Sequence, residues 1–158
     1  MVLGLDRKGL IPLVNNTTKS SCVELEEETF AKNRVEPNHR PRILLVEDEK
    51  PIRDIVVLML LCAGFDCREA ASGQAAIDLL ASGVRINLVL SNLLLPEVDG
   101  FTLLLHVKKH YPCIPFVFVT AVNDGSVKEA AMRNGAEDFL LKPFQREELL
   151  AVVRRVLG

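Results

Sequence analysis

From Arg42 to the carboxyl terminus the chain alternates short β-prone runs with segments of helical length, five times in succession, and few folds accommodate that order. The runs are RILLV at 42–46, DCREA at 66–70, NLVLS at 87–91, PFVFV at 115–119 and EDFLL at 137–141. Spacing predicts helices over about 51–63, closed by Gly64, and then over about 73–82, 100–110, 126–134 and 145–157. Strands joined through helices run parallel, because each helix returns the chain to the edge where the previous strand began. The expectation is an α/β fold, a doubly wound five-stranded parallel sheet covered by helices on both faces. Ligands of such sheets bind beyond the carboxyl ends of the strands, so the residues that close each run carry the functional argument.

The alternation begins abruptly. Residues 1–40 hold six basic, six acidic and only 14 apolar residues, whereas more than half of residues 41–158 are apolar. Pro37 and Pro41, in EPNHRPR, discourage helix and mark a linker. The division expected is an amino-terminal extension and linker over 1–40, followed by one domain over 41–158. Ser21 and Glu24 have the spacing of a capping box that would open a short helix through about Asn33. The alternative is a disordered or loosely docked extension.

Composition excludes several classes of function. Hydrophobic residues make up 49% but no window approaches 18 apolar residues free of charge, so no membrane span is expected. A formal charge of −2 offers no basic field for a phosphate backbone, which argues against direct nucleic-acid binding. The opening residues lack the continuous apolar stretch of a secretory signal, and the expected compartment is the cytoplasm. Cys22, Cys62, Cys67 and Cys113 form no CxxC pair, and the last three fall in expected core elements, where they read as small buried hydrophobes. His39, His106 and His110 read as surface positions without metal-site spacing.

The strand ends are more informative. The first run closes on Glu47-Asp48-Glu49, hard oxygen ligands suited to Mg²⁺, although such a turn can equally be solvated with its acids favouring a helix amino terminus. The third run closes at Asn92, the fourth at Thr120 and the fifth at Lys142-Pro143. Each has a bland reading alone: turn former, β-branched strand residue, surface charge. The alternation brings them to one rim, where a cation and an ammonium can neutralise phosphate oxygens and a hydroxyl can donate to another. No glycine-rich nucleotide-binding loop is present, so the phosphate would be small, carried on the protein or on a small donor.

LLVEDE at 44–49, LLLPEVDG at 93–100, FVTA at 118–121 and LKPF at 141–144 stand in order at four strand ends. In these motifs the chain resembles the receiver domain of two-component response regulators, of the single-domain, chemotaxis-regulator-like kind, across essentially all of residues 41–158. The resemblance implies a flavodoxin-like (βα)5 fold. It implies Glu47 and Asp48 as the acidic Mg²⁺ pair, the main-chain carbonyl of Leu94 as a further metal ligand and Lys142 as the phosphate-binding lysine. Thr120 would be the switch hydroxyl, Phe139 the aromatic switch residue, and the Lys142-Pro143 bond cis.

One position departs from the family. Its phosphoacceptor aspartate lies four residues before the proline of the turn, and here Asn92 stands four before Pro96. A neutral amide is a far weaker nucleophile than a carboxylate and forms no comparable acyl phosphate, so ordinary phosphotransfer to this chain should fail. Asn92 also removes a negative charge, which should weaken Mg²⁺ binding. Neighbouring Ser91 should face away from the site, because successive strand side chains alternate. An amide there suits a pseudo-receiver that responds to a partner without phosphorylation, or an ordinary receiver altered to prevent it.

A receiver acts by being bound. Ile52, Ile55, Val56 and Met59 form an expected core stripe on the first helix, with Val57, Leu58, Leu61 and Cys62 left apolar on its other faces. The last helix would turn Leu149, Val152, Val153 and Val156 inward, with Leu150 and Leu157 spare. The spare surface reads as a dock for a sensor histidine kinase or phosphotransfer protein, or as cover for Leu10, Ile11, Leu13 and Val14 of the extension. Lys128, Arg133, Asp138 and Arg154 could form cross-subunit ion pairs in a homodimer, as the family does. Since the sequence stops at Gly158, at the end of the fifth helix, output is expected through contact with a downstream protein target. The rival reading is a small enzyme on the same scaffold, a phosphatase or flavin protein, and neither a cysteine in a phosphate-binding loop nor a suitable Ser/Thr/Gly-rich loop supports it.

Overall fold

A computed structural model of the chain describes residues 39–158. Five strands and five helices alternate: β1 Arg42–Val46, α1 Lys50–Cys62, β2 Asp66–Ala70, α2 Gly73–Ala81, β3 Leu88–Ser91, α3 Gly100–His110, β4 Phe116–Thr120, α4 Gly125–Arg133, β5 Asp138–Leu141 and α5 Arg146–Leu157. All strand pairs are parallel and the order across the sheet is β2-β1-β3-β4-β5. That is the doubly wound, flavodoxin-like order, with its topological switch between β1 and β3. The short helix expected from Ser21 and the apolar residues at 10–14 lie outside the described residues.

The period-two geometry of a strand divides its side chains between two cores. Leu44 and Val46 of β1, Val89 of β3 and Phe116 and Phe118 of β4 face α2, α3 and α4, whose Ala76, Leu80, Leu103, Leu104, Val107 and Ala131 close that side. The alternate residues Ile43, Leu45, Leu88, Leu90, Val117 and Val119 meet Val56 and Leu60 of α1 and Leu149, Leu150 and Val153 of α5. The three central strands are thus apolar on both faces apart from Arg42, Ser91 and Thr120 at their ends, whereas edge strand β2 exposes Arg68 and Glu69. A charged edge discourages pairing with another chain. Asp66 is tied to Arg42 at 2.5 Å, and that hydrogen bond holds its carboxyl below the usual carboxylate range.

Local capping fixes where the helices start. The side chains of Ser72, Asp99 and Asp124 accept hydrogen bonds from Ala75, Thr102 and Ser126 backbone N–H groups, satisfying donors that the first turns leave free. Pro51 occupies the first turn of α1, where no backbone N–H is needed. Gly64 follows α1 with φ +90°, a conformation that favours a residue without Cβ.

Several side chains lie elsewhere than expected. Ile55 is 56% exposed, and Leu60 takes the core position on α1. Leu150 is buried rather than spare, and Leu157 packs partly against the same core. Cys62 and Cys113 are exposed and Cys67 is half-buried, so only Cys67 approaches the buried role. Burial, helped by neighbouring Glu69 and Asp66, pushes the Cys67 thiol up to about 12, which makes it inert. Asp138 pairs with Arg155 of its own chain. The phase of α1 can be tested by truncation. Leu60→Ala should cost about 2–5 kcal/mol of unfolding free energy in urea, and Ile55→Ala within about 0.5 kcal/mol of none.

Candidate functional site at the carboxyl rim of the sheet

Four strand ends converge because the backbone ladders run on past the last strand residues. Glu47 N–H donates to the Ala70 carbonyl at 3.0 Å, Asn92 N–H to Val46 at 2.9 Å and Lys142 N–H to Thr120 at 2.8 Å. These bonds carry the register of β2, β1, β3, β4 and β5 into the turns and bring residues 47, 92, 120 and 142 to one edge.

The most buried polar contact of this edge joins Lys142 to Glu47. The Lys142 Nζ donates to Glu47 Oε2 at 2.5 Å, with side chains only 14% and 3% exposed. Asn92 Nδ2 donates to Asp48 Oδ1 at 3.3 Å, the orientation chemistry requires, since an ionised carboxylate accepts and does not donate. Thr120 is buried and its hydroxyl accepts from the Val122 N–H at 3.2 Å. The Lys142-Pro143 bond is cis. Phe139 is buried beneath the rim with its ring 5.8 Å from Phe118. Leu94 lies exposed beside the site. Ser91 is fully buried, and its hydroxyl donates to the Asn92 carbonyl at 2.8 Å.

Two residues that the sequence reading passed over shape this rim. Arg53, in the second turn of α1, donates from Nη1 to the Glu47 carbonyl at 2.6 Å and from Nε to Glu69 at 3.2 Å, clamping the acidic turn between α1 and β2. An arginine six residues after a strand-end acid was the available signal. Gly100 opens α3 against the turn after β3. Its N–H donates to the Leu93 carbonyl at 2.8 Å, and a Cβ there would stand 2.2 Å from the Asn92 carbonyl oxygen. Only glycine permits that approach.

The rim opens into a cavity of about 930 Å³. Asp48, Asn92, Thr120 and Lys142 line its polar part, and Ile52, Met59 and Phe144 belong to its apolar wall. Among the described residues no group of three His, Cys, Asp or Glu side chains converges on a metal position. A hard cation here would therefore rely on two carboxylates together with neutral oxygens. The exposed carboxylate of Asp48 fits that role, while one Glu47 oxygen is already engaged by Lys142.

A parallel sheet bearing acid, amide, hydroxyl and ammonium at one rim is a scaffold shared by several classes of protein, and comparison with known proteins specifies which. Residues 43–154 match the response regulator receiver domain, and the chain belongs to that family. It is 37% identical over 119 residues to the DNA-binding dual master transcriptional regulator RpaA of Synechocystis sp., covering 74% of this chain and 49% of the relative. It is 38% identical over 120 residues to the sensor kinase CckA of Brucella abortus, covering 73% of this chain and 12% of the relative. The chain thus spans half or less of the length of these curated relatives. Among solved structures, the signal receiver domain of an HD domain-containing protein from Pseudomonas fluorescens Pf-5 superposes with a TM-score of 0.71 at 32% identity, covering 75% of this chain and 95% of that one. The receiver domain of NtrX from Brucella abortus gives 0.69 at 33% identity, covering 73% and 97%. Receiver domains are signalling modules rather than enzymes, and no helix among the described residues is long and apolar enough to cross a membrane.

The ion pair makes a direct prediction. Lys142→Met leaves the Glu47 carboxylate buried without its cation and should cost about 3–5 kcal/mol in chemical denaturation. Adding Glu47→Gln should recover most of that loss.

Proposed function

We propose that this chain is a receiver module over residues 41–158, preceded by an extension over 1–40, whose phosphoacceptor position is held by Asn92 and which signals by contact without ordinary phosphorylation. The observation that carries the reading is the placement of an amide at the end of β3, among Asp48, Thr120 and Lys142. A carboxylate there would attack phosphorus and become an acyl phosphate, whereas the amide donates a hydrogen bond to Asp48 instead.

The rest of the pocket keeps its roles on this reading. Lys142 would meet a phosphate oxygen, Thr120 would donate its hydroxyl to another, and Phe139 would be the aromatic partner of that switch. Glu47, Asp48, the amide oxygen of Asn92 and the carbonyl of Leu94 would hold Mg²⁺, which when bound supplies positive charge for phosphoryl oxygens. With one carboxylate fewer, the resting pocket is closer to neutral. Lys142 answers Glu47, and the Asn92 amide partly satisfies Asp48.

Partner contact falls to the apolar side of the cavity. Ile55, Leu58 and Leu61 of α1 are exposed beside Ile52, Met59 and Phe144, a surface suited to the helices of a sensor histidine kinase or phosphotransfer protein in the cytoplasm. A downstream protein target would read the same module, and a homodimer remains compatible with exposed Lys128, Arg133 and Arg154. The relatives named as a DNA-binding regulator and a sensor kinase suggest such company without specifying it.

The test is intact mass after incubation with acetyl phosphate and Mg²⁺. This chain should gain nothing, and Asn92→Asp should gain one phosphate. A phosphate on this chain itself would overturn the silencing role of Asn92. No gain on either would show that the pocket has lost competence beyond that one atom.

A further inference from the structure

The last turns of α3 carry two imidazole side chains, at the end of the helix opposite Gly100, which abuts the acidic rim. His106 and His110 stand at i and i+4, which places both on one face of the helix. Their ring centroids are 4.5 Å apart, with the planes tilted by 39°. His106 is half-buried against Tyr111, whose ring lies 6.3 Å away, and His110 is exposed. One ring is held by packing and the other can turn toward an incoming ion.

We infer that His106 and His110 form a two-histidine site for a borderline divalent transition metal of the zinc, nickel or copper class, with water in the remaining positions. Neutral imidazole nitrogen is a ligand for these ions and a poor one for Mg²⁺. Imidazole offers a free lone pair in its neutral form, the form histidine generally takes above pH 7. Bringing both nitrogens to the usual metal distance of about 2.0–2.1 Å requires the stacked rings to splay, chiefly about the soft terminal torsion of each side chain.

The surroundings act in both directions. The pair lies at the carboxyl end of α3, where unsatisfied carbonyls concentrate partial negative charge and favour a cation. Lys108 and Lys109 also lie in this turn. The ammonium of Lys108 is engaged by Glu137 at 2.8 Å and by the Ile114 carbonyl at 3.2 Å, which leaves Lys109 as the opposing charge. No third His, Cys, Asp or Glu completes the site among the described residues. Affinity should accordingly fall well below that of closed four-ligand zinc sites.

Calorimetric titration of the full chain with Cu²⁺, Ni²⁺ and Mg²⁺ tests the assignment, alongside His106→Ala, His110→Ala and His39→Ala. With Cys22, Cys62 and Cys113 changed to Ser in every protein, the expected result is a Cu²⁺ binding event beyond any at the acidic rim, weaker Ni²⁺, and loss of about tenfold or more in that Cu²⁺ affinity in each of the first two histidine variants, because losing either donor removes the chelate. His39→Ala should bind as the parent does, and Mg²⁺ binding should be the same in all four proteins. Thermal melts without metal check that the variants are folded, as expected for changes on an accessible helix face. Absence of Cu²⁺ binding would overturn the inference. So would retention of parental affinity in either His106→Ala or His110→Ala, which would place the ion elsewhere.

Discussion

The contact between Lys142 and Glu47 is the constraint on which the rim depends. It links the ends of β1 and β5, strands separated in the sheet by β3 and β4, and therefore spans the mouth of the site. An almost fully buried carboxylate is tolerable only with a compensating partner, and the lysine supplies it. Arg53 holds the other side of the same turn through the Glu47 carbonyl. Between them the two cations give the acidic turn one orientation, with Glu47 drawn inward and Asp48 left exposed at the cavity.

Everything beneath the rim serves to bring those residues together. β1, β3 and β4 are apolar on both faces and locked between two helical layers, so their ends cannot drift independently. The turn after β3 is further pinned where Gly100 meets Leu93, and Gly73 packs as closely against the Val98 backbone. The Asn92 side chain is thereby presented by a packed scaffold. On the proposed reading, one nitrogen in place of one oxygen separates a phosphorylatable module from a silent one.

The strands and the layers were legible because short β-prone runs, most of them apolar, alternate with segments of helical length five times in succession. The converging residues were legible for the same reason, since strand ends follow once the strands are known. The phase of α1 was not. A helix apolar on nearly every face has no unique inward stripe, and only the packed structure distinguishes Leu60 from Ile55. Cys62 was misplaced by the same ambiguity. Arg53 escaped notice because its shortest contact is to a backbone carbonyl and its carboxylate partner Glu69 lies 16 residues away on another strand. His106 and His110 read only as surface positions without metal-site spacing, because their approach depends on side-chain rotamers and on packing against Tyr111.

The central claim is that Asn92 lies within the acidic pocket and removes a charge from it. Calorimetric Mg²⁺ titration of this chain and of Asn92→Asp measures that directly. The account predicts binding on the order of tenfold tighter in the Asp variant, because a third carboxylate would face the ion. Equal affinity in the two proteins would contradict it, placing residue 92 outside the electrostatic reach of Glu47 and Asp48.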